Sequence, residues 1–227
     1  MKMKSVMAVI PAFNEEGTIS STIKAVQTVK AVSRILVVDD GSSDGTSERA
    51  REAGAQVLVL AHNCGKGGAM NQAVELVDTD VVVFLDADLG ETASQASLII
   101  EPVLNEEADL CIAAFRPPAK KGGFGLVKGT ARRAINKIAE IEVNSPLSGQ
   151  RAMSREVLMA LTPFHEAYGV ELGMTLNALA QGFRVKEVLT EMKHNETGRD
   201  LRGFIHRGQQ FLDVIKVIRL ENRRKGV

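Results

Sequence analysis

Short apolar runs recur along the first half of the chain and alternate with segments that have the residue pattern of helices. Each run has the length of a buried strand, and the runs cover residues 6–10, 35–38, 57–60, 81–85 and 109–113. Strands that alternate with helices in this way favour a mostly parallel sheet covered on both faces. The predicted fold class is therefore α/β, with a mostly parallel central sheet flanked by helices.

The other segments complete this prediction. Helices are predicted at residues 15–29, 44–53, 93–104, 131–141, 155–161 and 169–180, with one more that follows residues 62–68 and ends near 77. Asn14 is the predicted N-cap of the first helix, Gly54 ends the second, and residues 183–189 resemble a further strand. Because the chain has no internal repeat and no low-complexity linker, residues 1–227 are expected to form a single domain.

Composition excludes several classes of protein. A chain of 227 residues with 44% hydrophobic side chains can bury a full core, and its net charge of zero argues against a nucleic-acid partner. Two cysteines without metal-ligand spacing indicate a reduced, cytoplasmic protein. The apolar run at the amino terminus is too short for a signal peptide, and no run approaches the ~18 residues of a membrane-spanning helix.

Polar clusters follow three of the predicted strands. Asp86-Ala87-Asp88 follows residues 81–85, and two clusters rich in turn-forming residues follow the first two strands, at residues 11–16 and 39–46. Two carboxylates one residue apart can share Mg²⁺ or Mn²⁺, which in turn hold phosphate oxygens. In an open α/β sheet the carboxyl ends of the strands line one crevice, so we expect the three clusters to meet there.

Taken together, these clusters resemble those of the family 2 nucleotide-sugar glycosyltransferases, which have the GT-A fold. The resemblance rests on Pro11-x-x-Asn14-Glu15, on Val37-Val38-Asp39-Asp40-Gly41-Ser42 and on Asp86-x-Asp88, in this order, and it covers residues 5–115. It implies an enzyme that moves a hexose from a UDP- or GDP-sugar to an acceptor, with Mg²⁺ or Mn²⁺ as cofactor. Residues 1–115 would then be the nucleotide-sugar half and residues 116–200 the acceptor half.

The resemblance also implies roles for residues on the donor side. Glu15 would accept hydrogen bonds from ribose hydroxyls, and Asp40 with Asp39 would accept from the edge of the base. Lys66 would approach the diphosphate, although a plain flexible turn is the alternative for its glycine-rich segment. Asp86 and Asp88 would hold the metal, with Asp88 also counted as catalytic. The remaining predicted donor contacts are Pro11, Ala12, Asn14 and Ala87.

On the acceptor side the resemblance divides between two subfamilies. Residues 146–149 with residues 167–171 are similar to glucosyl-3-phosphoglycerate synthases, whereas residues 148–155 and the glycine-rich basic stretch at 116–130 are similar to polyprenyl-phosphate sugar synthases. Both imply a phosphorylated acceptor. Glu171 is the predicted catalytic carboxylate, acting as general base or positioning sugar hydroxyls. His194 is the predicted third metal ligand, and the predicted acceptor contacts are Ser148, Gly149, Arg151 and Arg199.

Several alternatives stay open. Residues 116–130 fit either a surface excursion or a lid that contacts the acceptor. Residues 201–227 are predicted to form an amphipathic helix, with an apolar stripe flanked by basic side chains. Such a helix suits peripheral contact with the inner face of a membrane, packing on the domain or a homodimer. A nucleotide-sugar sensor without turnover would keep the same donor site. A sugar-phosphate nucleotidylyltransferase is less consistent, because Pro-Ala-Phe-Asn-Glu replaces the Gly-x-Gly-Thr-Arg loop expected after the first strand.

Overall fold

The computed structural model describes residues 4–115, 145, 147–164 and 170–193. Seven strands and six α-helices lie in these ranges. In chain order they are β1 Val6–Ala12, α1 Ile19–Gln27, β2 Val32–Asp39, α2 Thr46–Glu52, β3 Gln56–Val59, α3 Gly65–Val74, β4 Val81–Phe84, α4 Ala96–Leu104, β5 Leu110–Phe115, β6 Arg151–Ser154, α5 Arg155–Leu161, α6 Val170–Ala180 and β7 Val185–Thr190. A 3-10 helix, Gly90–Gln95, leads into α4.

The strands form one seven-stranded sheet in the order β3-β2-β1-β4-β6-β5-β7. The first four in this order are parallel, β6 runs antiparallel to both of its neighbours, and β5 is parallel to β7. The predicted α/β class with a mostly parallel sheet is confirmed. The carboxyl ends of β1, β2 and β4 lie at one edge of the sheet, and the start of β6 lies at the same edge because its direction is reversed.

The apolar side chains of each central strand divide between two cores, one on each face of the sheet. In β1, Val6, Ala8 and Ile10 pack into the core that α1 and α4 cover, whereas Met7 and Val9 pack into the core beneath α3, α5 and α6. All five are at most 1% exposed. Burying one such side chain contributes roughly 1.5–3 kcal/mol, which explains why these strands are continuous apolar runs.

The start of the first helix differs from the prediction. Helix α1 begins at Ile19 with Thr18 in the N-cap position, four residues after the predicted start. Asn14 has a positive φ of 56° and does not cap the helix. Its side-chain oxygen instead accepts the backbone N–H of Ser43 at 2.9 Å, which ties the loop after β1 to the loop after β2. The N-cap prediction for Asn14 is therefore wrong, since its amide joins the two loops.

Strand β6 was not predicted. It has only four residues, begins with a buried arginine and follows a segment that the sequence indicates as a tight turn. Helix α3 also begins earlier than expected, at Gly65, so that Lys66 lies in its first turn. Both differences bear on the site, because they bring residues 148–150 and Lys66 to the same edge of the sheet.

Some predictions fall outside the described residues. These are the stretch 116–130, the helix at 131–141, His194, Arg199 and the segment 201–227. The single-domain assignment likewise stays a prediction. Among the helices in the described part of the chain, none has the length and apolar character needed to cross a membrane.

A two-residue clamp joins the beginnings of β5 and β7. Arg184 Nη2 and Nε lie 2.7 Å and 3.0 Å from the two carboxylate oxygens of Asp109, and the backbone N–H of Arg184 donates to the same carboxylate at 2.8 Å. The hydrogen bonds from the Arg184 side chain hold the pKa of Asp109 below its ordinary value of 3.8. The ionised form of Asp109 therefore stabilises the fold.

We expect Asp109→Asn to lower the thermal midpoint at pH 7, because it removes this charge-assisted clamp. The pKa of Asp109 is depressed in the folded state, so its contribution is present above pH 3.8 and is lost as pH falls through the folded pKa. The difference between variant and wild type should shrink accordingly in acid. Thermal unfolding between pH 7 and pH 2.5 measures this, with Glu101→Gln, an exposed carboxylate on α4, as control. A difference that is independent of pH would contradict the assignment.

Candidate active site

The Asp86-Ala87-Asp88 segment leaves the sheet directly after β4. Leu85, Ala87 and Leu89 are buried at 0%, 5% and 2% exposure, while Asp86 and Asp88 are half-buried between them. Because buried and half-buried residues alternate, the two carboxylates face the crevice while Ala87 packs into the core beneath. This places Asp86 and Asp88 as the resemblance implies. Ala87 contributes only its backbone and a buried methyl group.

The buried hydroxyl of Thr22 on α1 fixes this segment from behind. Thr22 is 0% exposed, donates to the backbone oxygen of Ala87 at 2.8 Å and accepts from the backbone N–H of Gly90 at 2.9 Å. One side chain therefore satisfies two backbone groups on either side of Asp88. Thr22 was not predicted, since a threonine inside an amphipathic helix gives no sign of which loop it contacts.

Lys66 bridges the donor and acceptor sides of the site. Its Nζ lies 2.5 Å from Asp86 Oδ1 and 2.9 Å from Glu171 Oε1. Lys66 is in the first turn of α3 and Glu171 is in the first turn of α6. Burial alone would lower the pKa of Lys66, but the charges of Asp86 and Glu171 outweigh it and hold the pKa well above its ordinary range. Lys66 is therefore protonated throughout the physiological pH range.

The segment before β6 contacts the second oxygen of Asp86. Gln150 Nε2 donates to Asp86 Oδ2 at 2.5 Å, and Gln150 Oε1 accepts from Ser148 Oγ at 3.1 Å. Gly149 lies so close that a Cβ there would come within 2.6 Å of both carboxylate oxygens of Asp86. Both oxygens of Asp86 are thus engaged by neighbouring donors, and a Cβ at position 149 would require the side chains of Asp86 and Lys66 to move.

Arg151 lies behind this segment and is fully buried. Its Nε donates to Ser148 O at 2.8 Å and its Nη1 donates to Thr175 Oγ1 at 2.8 Å, while Thr175 Oγ1 donates to Glu171 O at 3.0 Å. Burial lowers the pKa of the guanidinium to about 10, against the opposing charges of Glu171, Glu187 and Asp86. Arg151 therefore supports the backbone at Ser148 directly and at Glu171 through Thr175. Because its side chain is fully buried, the structure does not support the predicted contact of Arg151 with an acceptor.

On the nucleotide side, Asp39 and Asp40 already hold the loops around them. Asp39 is 2% exposed, and its carboxylate accepts from Ser42 N at 2.8 Å and from the Ser47 hydroxyl. Asp40 Oδ1 accepts from Cys64 N at 2.7 Å, at the entrance to α3. Burial raises the pKa of Asp40 above its ordinary value, partly offset by hydrogen bonds from the backbone at Cys64 and Gly65.

Glu15 is a third acidic residue on the nucleotide side of the crevice, after Asp39 and Asp40. It accepts from Thr18 Oγ1 at 2.6 Å, and its backbone N–H donates to Thr46 Oγ1 at 2.8 Å. Burial raises the pKa of Glu15, the Thr18 hydroxyl lowers it, and the negative charges of Asp88, Asp44 and Asp86 raise it further. Glu15 therefore lies within electrostatic reach of Asp86 and Asp88.

The arrangement of Asp86 and Asp88 fits a divalent cation. Mg²⁺ and Mn²⁺ are commonly bound by one or two carboxylates together with substrate phosphates and water. The ammonium group of Lys66 lies beside Asp86, which shows that a positive charge is accommodated at this carboxylate. Within residues 4–115, 145, 147–164 and 170–193, no cluster of three histidine, cysteine or acidic side chains completes a site by protein ligands alone. His194, the predicted third ligand, lies outside the described residues.

The structure thus brings most of the predicted site residues to one edge of the sheet. Lys66, Asp86, Gly149 and Glu171 form one contact network, and Glu15 and Asp88 lie within electrostatic reach of it. Pro11 and Ala12 end β1, beside Val38 and Asp39 of β2. Ser148 lies behind Gln150, and Arg199 lies outside the described residues. Gln150 was not predicted as a site residue, although its side chain donates to Asp86.

Several known proteins are similar to this chain in sequence. The sequence model described as glycosyl transferase family 2 matches residues 7–161. The chain is 30% identical over 201 residues to glycosyltransferase AglJ of Haloferax volcanii, covering 86% of this chain and 65% of that protein. It is 31% identical over 197 residues to glucosyl-3-phosphoglycerate synthase of Mycobacterium tuberculosis, covering 77% of this chain and 60% of that protein. The chain therefore spans less than two thirds of both relatives.

The likeness extends to three dimensions. The crystal structure of the M. tuberculosis glucosyl-3-phosphoglycerate synthase with Mg²⁺ and UDP matches with a TM-score of 0.81 at 28% identity, over 96% of this chain and 79% of that chain. A further crystal structure of the same synthase, with Mn²⁺, UDP-glucose and phosphoglyceric acid, matches with a TM-score of 0.76. The expected fold and the expected resemblance are both confirmed, and these relatives bind the predicted class of cofactor.

The position of Thr22 predicts the effect of removing its hydroxyl. Thr22→Val keeps the shape but leaves Ala87 O and Gly90 N without their partner, which should cost roughly 1–3 kcal/mol of unfolding free energy. Amide hydrogen exchange should also accelerate at residues 87–91. Urea unfolding and exchange measured by mass spectrometry test both effects. Thr22→Ser retains the hydroxyl and loses only the methyl group, so residues 87–91 should exchange as slowly in this variant as in the wild type. Unchanged stability and unchanged exchange in Thr22→Val would contradict the role given to the hydroxyl.

The close approach at residue 149 predicts that a single methyl group is too large. Gly149→Ala should force Asp86 and Lys66 apart and lower the unfolding free energy by about 1–3 kcal/mol, the usual result of overpacking. Gly17→Ala is the matched control, because among the described residues no atom lies within 4 Å of a Cβ built there. Urea unfolding of both variants is the measurement. Equal stability of the two would contradict the packing described at Asp86.

Proposed function

Because the chain belongs to glycosyltransferase family 2, we propose that it transfers a hexose from a nucleoside-diphosphate sugar to a phosphorylated acceptor. UDP-glucose is the first donor to test, because the related synthase binds it, and GDP-sugars are the alternative. Phosphoglycerate is the first acceptor and a polyprenyl phosphate the second. The observation that carries the proposal is Lys66, which lies in contact with the donor-side Asp86 and the acceptor-side Glu171 at once.

The nucleoside would bind where the loops after β1 and β2 meet. Glu15 suits ribose hydroxyls, because an ionised carboxylate only accepts hydrogen bonds and accepts them strongly. Asp39 and Asp40 would face the base, in keeping with their predicted roles. Pro11, Ala12 and Asn14 would shape the same pocket from the end of β1.

Asp86 and Asp88 would hold Mg²⁺ or Mn²⁺, with His194 as the proposed third ligand. When bound, the cation stabilises the negative charge of the departing nucleoside diphosphate as a Lewis acid. This chain's own contribution is to position both carboxylates through Thr22 and the buried Ala87, and to supply the Lys66 ammonium close to the diphosphate.

Glu171 would act on the acceptor side of the reaction. Its side chain is only 13% exposed and lies at the start of α6, where the helix dipole favours its negative charge. It would position sugar hydroxyls, or accept the proton of a hydroxyl nucleophile where the acceptor presents one. Ser148, Gly149 and Arg199 are the proposed acceptor contacts, while the burial of Arg151 favours a supporting role behind them.

Two further features of the proposal concern partners. Peripheral membrane contact and dimerisation through residues 201–227 both stay predictions. A nucleotide-sugar sensor is the second candidate function, and it differs from the transferase in one measurable respect: it binds the donor with metal but releases no nucleoside diphosphate when an acceptor is added.

The deciding experiment measures release of UDP or GDP from their sugars with Mg²⁺ or Mn²⁺, with 3-phosphoglycerate or a short polyprenyl phosphate offered in parallel. We expect Asp86→Asn and Asp88→Asn to lower acceptor-dependent release by at least about 100-fold, since a metal contributes several kcal/mol and 1.36 kcal/mol is tenfold. Asp78→Asn, an exposed carboxylate just before β4 and at the opposite edge of the sheet, is the control. Full activity of Asp88→Asn would remove the metal-assisted mechanism.

A further inference from the structure

Both oxygens of the Asp86 carboxylate contact groups of the protein. Lys66 Nζ contacts Oδ1 at 2.5 Å and Gln150 Nε2 donates to Oδ2 at 2.5 Å. A cation that approaches Asp86 therefore competes with the Lys66 ammonium for the charge of the same carboxylate. Asp88 alone would bind a divalent cation much more weakly than Asp86 and Asp88 together.

Lys66 is held at this position from several directions. It lies in the first turn of α3, whose entrance Asp40 fixes through Cys64 N. Glu171 contacts its ammonium from the acceptor side at 2.9 Å, and the missing side chain of Gly149 leaves the space that the ammonium fills. The ammonium therefore occupies a defined place between two carboxylates.

A nucleoside diphosphate changes this balance because it brings negative charge of its own. Lys66 can exchange the Asp86 carboxylate for a phosphate oxygen without losing an anionic partner, whereas a metal ion alone offers it only repulsion. The exchange frees Asp86 Oδ1 at the moment when the diphosphate also needs a cation.

Resting on the proposed function, we propose that Lys66 is an internal counter-cation that keeps the metal position closed until a nucleoside diphosphate binds. Metal and nucleotide then bind with positive coupling, and Lys66 moves its contact from Asp86 to the diphosphate. By linkage, the factor by which UDP raises metal affinity equals the factor by which the metal raises UDP affinity. The Lys66 side chain is 32% exposed, so its contact with Asp86 is partly screened by solvent. We therefore expect this contact to contribute about tenfold to the factor by which UDP raises metal affinity.

The test is the affinity for Mn²⁺ without any sugar transfer, measured by electron paramagnetic resonance of free Mn²⁺ with and without UDP. Removing the ammonium in Lys66→Met should tighten Mn²⁺ binding to the nucleotide-free protein about tenfold. The gain in Mn²⁺ affinity that UDP gives should shrink by the same factor, and the part that comes from direct contact between metal and phosphate should remain. Lys66→Gln, which keeps a hydrogen-bond donor without the charge, should behave in the same direction and guards against misfolding of the methionine variant. Lys24→Met, on the exposed face of α1, is the charge-matched control.

The outcomes separate this inference from the proposed function. If Lys66→Met and Lys66→Gln are folded and bind Mn²⁺ no more tightly than wild type, Lys66 is a phosphate ligand only and the inference is overturned. If tightening appears equally in Lys24→Met, it reflects net charge, and the inference is again overturned. If the wild type binds neither Mn²⁺ nor UDP, the proposed donor site itself fails.

Discussion

The antiparallel pairing of β6 with β4 is the constraint on which the site depends. In this register Phe84 lies opposite Arg151, so the residues that precede β6 come back over the end of β4. Gly149 and Gln150 consequently meet Asp86 as it leaves the sheet. A parallel strand at this position would send its amino end to the far edge, and the carboxylate would lack these neighbours.

Charge balance then decides the form of the site. A buried guanidinium, an ammonium and the acidic groups around them lie in one continuous network from Arg151 through Thr175 and Glu171 to Lys66 and Asp86. Burying one unpaired charge costs several kcal/mol, so such a network is stable only while every member has a partner. Its members come from α3, β6, α6 and the segment after β4, and their contacts hold these four parts of the chain together.

The donor half was readable from sequence because each functional cluster directly follows an apolar strand, so that sequence position and place in the sheet coincide. Asp86, Asp88 and Glu15 came from that rule. The acceptor half was less readable, since a four-residue strand that begins with arginine has no apolar signature. Thr22 donates to the backbone of Ala87, which is 65 residues away in the sequence, and a local residue pattern cannot predict such a contact. Asn14 was misassigned because the same residue type serves helix caps and loop-to-loop contacts equally well.

The hydrogen bonds of Asp39 and Asp40 have a consequence for how such a chain can diverge. Both carboxylates are already committed to backbone and hydroxyl donors of their own loops and of the entrance to α3. Replacing Asp39 or Asp40 to suit a different base would remove hydrogen bonds that hold the loop after β2 and the start of α3, where Lys66 lies. A change of nucleotide preference is therefore more accessible through exposed neighbours such as Phe13, at 47% exposure, which can be replaced while these hydrogen bonds stay intact.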